Sequence, residues 1–250
     1  MIPGNKLNNA DFLFGMGLIP GTASAPFQVQ TAAGDIVSTD IKSYGQMLLP
    51  RQIPLPQDNL PMYRQHDDRN YWFTLIDQGA TLYFQYNSCM EDPKQPSPEF
   101  FQELNAFLAL DVVQRVVLDM RNNQGGFSSI LSPWIDWIES SRFNQQGRLY
   151  VIVGRATFSA AMEATDWLHD RTNAIFVGEP TGAKPQFQLR RGDFPLPNFD
   201  IRVSYSHGVE SAKDSGPTLI PDIPTGLTFQ QFRKGVDPAL DAILAIPIPQ

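Results

Sequence analysis

Two short apolar runs bracket one helix-length segment in the second half of the chain, and their order limits the folds open to it. Residues 149–154 (LYVIVG) read as a buried strand, residues 159–170 as a helix opened by small residues, and residues 174–178 (AIFVG) as a second strand. The same alternation extends upstream. Residues 71–76 and 81–86, separated by Asp77-Gln78-Gly79-Ala80, read as a hairpin. Residues 98–110 carry Phe100, Phe101, Leu104, Phe107 and Leu108 at helical spacing and lead into a strand over 115–120. A second helix, over about 130–140, places Ile130, Leu131, Trp134 and Ile138 on one face. Strands that alternate with helices predict an α/β domain with a mainly parallel sheet. Residues 196–205 are expected to add an outer hairpin, Pro221-Asp222-Ile223-Pro224 to form a link, and residues 236–244 to close the domain as a helix.

Upstream of residue 63 the pattern changes. An apolar segment over 12–19 is followed by strand-like runs near 27–30 and 36–39, with Gly34-Asp35 as the turn between them. Residues 48–62 hold Pro50, Pro54, Pro56 and Pro61, a composition that favours an extended connector. The expected organisation is an N-terminal segment and connector over 1–62, the remainder of a larger N-terminal domain or a flap, and an α/β domain over 63–250. No internal repeat is present.

Composition narrows the chemistry. With 19 Lys and Arg against 26 Asp and Glu, the net charge of −7 argues against nucleic acid or an anionic membrane as partner. No apolar run approaches the roughly 18 residues of a membrane span. The one cysteine, Cys89, excludes an internal disulfide, argues against a metal cluster and reads as a small apolar residue near a strand end. The opening Met1-Ile2-Pro3-Gly4-Asn5-Lys6 lacks the form of a signal peptide, although the chain reads as a piece that a longer secreted precursor would release.

Ser159 falls at the strand-to-helix turn, and Lys184 follows the next strand 25 positions later. A serine hydroxyl becomes a useful nucleophile when a neighbouring base takes its proton, and an amine kept neutral by burial can be that base. The orphan N–H groups of a helix N-terminus can receive the resulting oxyanion. Taken singly, Ser159 would be a helix cap and Lys184 a solvated loop lysine. The segment Gly178-Glu179-Pro180-Thr181-Gly182-Ala183-Lys184 is not a phosphate-binding loop, because that motif needs adjacent Gly-Lys and a following hydroxyl where this chain has Ala183 and Pro185.

Three blocks together resemble the tail-specific, or C-terminal processing, serine peptidases. Val116-Val117-Leu118-Asp119-Met120-Arg121-Asn122-Asn123-Gln124-Gly125-Gly126 is similar to that family's apolar strand and D-L-R-N-N-x-G-G motif. Thr157-Phe158-Ser159-Ala160-Ala161 matches the nucleophile block, and GEPTGAK is similar to G-E-P-T-x-G-K. The resemblance covers about residues 70–225. It implies a ClpP/crotonase-like layered spiral of βαβ units, a serine endopeptidase acting through an acyl-enzyme, and an extracytoplasmic location. It implies Ser159 as nucleophile, Lys184 as general base, Gln188 as the residue that orients Lys184, and an oxyanion hole from Gly125 or Gly126 with Ala160. It implies no metal or organic cofactor, and a peptide or protein as substrate. The departures are Ala183 in place of glycine, Pro185 after the lysine, and only 33 positions between Gly126 and Ser159.

Other readings remain open at this level. Asp119 and Arg121 are expected to fix the glycine turn by an ion pair, and Glu163 to be an exposed helical residue. A Ser-His peptidase is a rival, with the histidine supplied from elsewhere: His66 lies in a charged loop, His207 follows a strand, and His169 stands about 15 Å along the helix from Ser159 by helical rise. A non-catalytic ligand-binding module on the same fold is a second rival, and a crotonase-like acyl-CoA enzyme a third.

Overall fold

The computed structural model describes residues 9–31, 33–44, 47–48, 60–182, 189–197, 202–209 and 218–249. The chain divides into two units, Met1–Gln57 and Asp58–Gln250. In the first, α1 (Ala10–Gly15) starts at Asn9, whose side chain accepts a hydrogen bond from the Phe12 N–H at 2.8 Å. β1 (Ser24–Gln30), β2 (Ile36–Tyr44) and β3 (Met47–Leu48) form a three-stranded antiparallel sheet. Gly34, at φ +92°, makes the expected turn, and the strands it joins pair in register from Ser24↔Lys42 to Gln30↔Ile36. Among the described residues, Ala10, Leu13, Ile19 and Ala25 are the buried apolar ones here.

The second unit is built on a six-stranded sheet that is parallel except at one edge. β4 (Tyr71–Ile76) and β5 (Thr81–Tyr86) form the expected hairpin. β6 (Arg115–Asp119), β7 (Leu149–Val153), β8 (Ile175–Gly178) and β11 (Ile223–Pro224) follow in parallel, giving the order β11-β8-β7-β6-β5-β4. Alternation along each strand assigns side chains to two cores. Leu82, Phe84, Val116, Leu118, Leu149, Val151 and Phe176 point to one face. That face is covered by α2 (Ser97–Leu108), α3 (Ser132–Glu139) and α4 (Ala160–Arg171). Tyr83, Val117, Tyr150, Ile152 and Val177 point to the other, against Ala239, Leu240 and Ile243. The expected mixed α/β fold with a mostly parallel sheet is what the chain adopts.

Two local expectations need correction. The outer hairpin is β9 (Leu189–Pro195) with β10 (Arg202–Val209), so it begins before the expected residue 196. The link at 221–224 contains β11, whose pairing with β8 overrides the turn character of its prolines. The closing helix expected over 236–244 is α6 (Pro238–Leu244), and a further helix that the sequence reading lacked, α5 (Phe229–Lys234), precedes it. Gly235 in the left-handed conformation, φ 69°, ends α5, and the Asp237 side chain caps α6 by accepting from the Leu240 N–H at 3.2 Å.

One buried cation ties the sheet to the last helix. Arg115, 1% exposed, donates to the carbonyls of Ile243 and Ile246 at 2.7 and 2.9 Å, to Thr81 Oγ1 at 3.0 Å and to Asp77 Oδ2 at 3.1 Å. A guanidinium at a helix C-terminus meets carbonyls that have no partner within the helix.

Candidate active site

Ser159 ends the turn between β7 and α4 with φ 56° and ψ −126°, a conformation that a residue with a Cβ rarely takes. Such geometry costs on the order of 1–3 kcal/mol and persists where neighbours over-determine it. They do so here. Thr157, fully buried, donates from Oγ1 to the Met120 carbonyl and accepts from the Gly154 N–H, both at 3.0 Å. The Phe158 N–H donates to the Asn123 carbonyl at 3.1 Å, and the Gly182 N–H to the Thr157 carbonyl at 3.0 Å. A serine before a helix ordinarily turns its hydroxyl onto the first free N–H groups. Ser159 makes no such bond: Met162 and Glu163 donate to its carbonyl instead, and the residue is exposed.

Two glycines complete this surface. A methyl placed on Gly125 (φ +107°) would lie 2.7 Å from Ser159 Cβ, so only glycine lets the loop after β6 approach the serine so closely. A methyl on Gly126 (φ +138°) would lie 2.3 Å from the Cys89 carbonyl oxygen. Cys89 donates to the Gly125 carbonyl at 3.0 Å and accepts from the Phe127 N–H at 2.6 Å, which turns the backbone groups of Gly126 away from it. The Gly125 N–H donates to Asn123 Oδ1 at 2.9 Å. Among the described residues, the N–H groups of Gly126 and Ala160 have no such partner. Exposed Met90, Phe127 and Phe158 adjoin these residues in sequence.

Lys184 and Gln188 lie outside the described residues. The loop that leads to Lys184 is described as far as Gly182. Glu179 at its start pairs with Arg155 at 2.8 Å, and the Gly182 N–H reaches the residue two before Ser159. The two residues from Gly182 to Lys184 span at most about 7 Å.

Beneath the glycine turn, the expected Asp119–Arg121 ion pair is present at 2.8 Å and is larger than expected. Arg121 also makes a bidentate pair with Asp237, at 2.8 and 3.0 Å, and stacks 4.3 Å from the Tyr63 ring centre. Burial raises the Asp119 carboxyl above its ordinary value, with Arg121 opposing that effect. The Tyr83 hydroxyl sits between Asp119 Oδ2, at 2.7 Å, and Gln85 Oε1, at 2.5 Å. One phenolic proton serves only one of these two acceptors at a time. Glu163, the fourth residue of α4, is half-buried rather than exposed and lies close enough to Cys89 to act on its thiol. The Cys89 thiol is pushed up to about 11, chiefly by burial, as an inert structural cysteine would be.

Comparison with solved structures places this architecture beside known proteins. The fold is similar to that of mature CPAF. The CPAF complex with lactacystin superposes with a TM-score of 0.53 at 13% identity, over 88% of this chain and 66% of that one. Mature CPAF alone gives 0.52, with the same identity and coverage. A looser likeness, TM-score 0.42 at 15% identity, covers 82% of this chain and 56% of the photosystem II D1 C-terminal processing protease. No family model matches the sequence, and no curated protein is similar to it. The chain thus spans 66% of the length of CPAF as solved.

Among the histidines, His66 packs its ring 4.9 Å from that of Trp72, and His169 is exposed beside Asp170 in the last turn of α4. Nothing is described of the His207 side chain. Among the described residues no group of three or more His, Cys, Asp or Glu could hold a metal ion, and no helix is long and apolar enough to cross a membrane. Sequence reasoning quoted Asn123 and Thr157 without giving either a role. Their signal was available: a polar residue beside a glycine pair, and another two before the serine, each at a place where the chain must turn.

Proposed function

We propose that this chain is the catalytic part of a serine peptidase that cleaves peptide bonds through Ser159 and Lys184. The observation that carries the reading is Ser159 itself. It is exposed, held in a left-handed turn by buried neighbours, free of capping duty, and in contact with a glycine that no other residue could replace. In the reaction, Ser159 Oγ bonds to the substrate carbonyl carbon while its proton passes to Lys184 Nζ. The C–N bond then breaks, the leaving amine takes that proton, and water repeats the sequence on the acyl-enzyme. Gln188 orients the amine. The N–H groups of Gly126 and Ala160 receive the oxyanion, a choice favoured over Gly125 by the engagement of the Gly125 N–H with Asn123. No metal or organic cofactor enters these steps, the substrate is a peptide or protein, and the setting is extracytoplasmic.

Labelling with a fluorophosphonate and turnover of fluorescein-casein test this. The wild type should label at Ser159; Ser159→Ala and Lys184→Ala should each lose most activity; and the double variant should be scarcely worse, since the two act as a unit. Turnover should rise with pH as the lysine gives up its proton. A Ser159→Ala variant that keeps more than about a tenth of wild-type turnover would remove the reading, because loss of an activated nucleophile costs far more than that.

A further inference from the structure

We infer that Asn123 is the residue that positions both halves of this site, an inference that rests on the serine-peptidase reading and adds to it. Asn123 is fully buried on the loop after β6. Its Nδ2 donates to the Tyr86 carbonyl at 2.9 Å, at the end of β5. Its Oδ1 accepts from the Gly125 N–H at 2.9 Å and lies 3.5 Å from Cys89 Sγ. Its main-chain carbonyl accepts from the Phe158 N–H at 3.1 Å, immediately before the serine. One residue therefore joins the ends of three strands, through its side chain to Tyr86 and Gly125 and through its main chain to Phe158, and the amide's orientation is fixed: Tyr86 offers only an acceptor and Gly125 only a donor.

This arrangement has a chemical consequence. With its N–H drawn inward to Asn123, Gly125 turns its chain so that the next N–H, that of Gly126, faces away from Cys89 and is unpartnered among the described residues. Asn123 thus selects which glycine presents a donor, while the Phe158 contact sets where the serine stands relative to it. It touches no substrate and acts through the backbone that does. Loss of one oxyanion donor typically lowers kcat about 10²–10³-fold. Removal of the Asn123 amide should act on kcat in that range and spare KM, because the donor strengthens the transition state more than bound substrate.

The test compares full-length wild type with Asn123→Leu, which keeps the bulk but loses the amide, and with Asn123→Asp, which keeps an acceptor for Gly125. Each is measured for fluorescein-casein turnover and for the rate of fluorophosphonate labelling per folded molecule. The expected result is a fall in kcat of at least about 100-fold for Asn123→Leu, with KM within about threefold, and at least a tenfold recovery in Asn123→Asp. If Asn123→Leu fails to fold, Asn123→Ala, which has no side-chain acceptor for Gly125, takes its place under the same criterion. A folded Leu or Ala variant with kcat within threefold of wild type overturns the inference, as does an Asp variant no better than the Leu variant. A wild type that does not label overturns the serine-nucleophile reading itself, so the two failures are told apart by the unmodified protein.

Discussion

At the scale of single residues, the site depends on groups that do no chemistry. Thr157 and Asn123 are buried polar side chains that hydrogen-bond chiefly to backbone, with the Cys89 thiol as the one side-chain partner, and the turn they hold is one that Ser159 would not adopt unaided. Asp119 carries a different consequence. Its native carboxyl titrates above the ordinary value of about 3.9, so over a range that begins there and extends upward the native chain binds more protons than the unfolded one. Stability contributed by that proton is present at the acid end and is lost as pH rises through the native value. Asp119→Asn has nothing to titrate. Urea unfolding at steps between about pH 4 and 7 should therefore show the variant furthest below wild type at the acid end and gaining on it as pH rises. A gap that widens with pH would mean that Asp119 serves as an ordinary ionised partner of Arg121.

Elements show where sequence patterns suffice and where they stop. The strands β4 to β8 and helices α2 to α4 were legible because each carries a full apolar face: the alternation in Tyr71–Ile76 and the spacing of Phe100, Phe101, Leu104 and Leu108 have no other economical use. The Ser159 turn was legible from its small neighbours. Helix α6 was legible over 236–244, whereas α5 was missed: it is short and has no buried residue, so it carries no apolar face to read. Nor could local pattern reveal that Asp237 also grips Arg121, 116 positions away. That double duty separates two variants. Asp237→Asn keeps an acceptor for the Leu240 N–H, whereas Asp237→Ala loses the cap as well, a difference worth roughly 0.5–2 kcal/mol. Thermal melts should rank wild type, Asn and Ala in falling order; equal losses would show that the cap contributes nothing. Lys184 and Gln188 were named through the resemblance to the tail-specific peptidases, and both lie outside the described residues.

For the molecule as a whole, the two units differ in how much apolar surface they can remove from water. Met1–Gln57 has four described buried apolar residues, too few for a stable core at that length, whereas Asp58–Gln250 has two clusters on opposite faces of one sheet. Residues 58–250 expressed alone should melt in one cooperative transition, and residues 1–57 alone should show none; a 58–250 piece without a transition would mean that it depends on what precedes it. The buried arginines have a consequence in time. Arg115 finds its carbonyl partners 128 and 131 positions downstream, and Arg121 finds Asp237 after 116. At about 5–20 residues per second, a ribosome takes roughly 6–23 seconds to make the stretch between Arg121 and Asp237. Throughout that interval the nascent chain can lay its parallel strands side by side in the order they emerge. Two guanidinium groups meanwhile lack the partners that residues 237–246 will bring, so the face of the sheet that α6 covers is sealed only after those residues emerge.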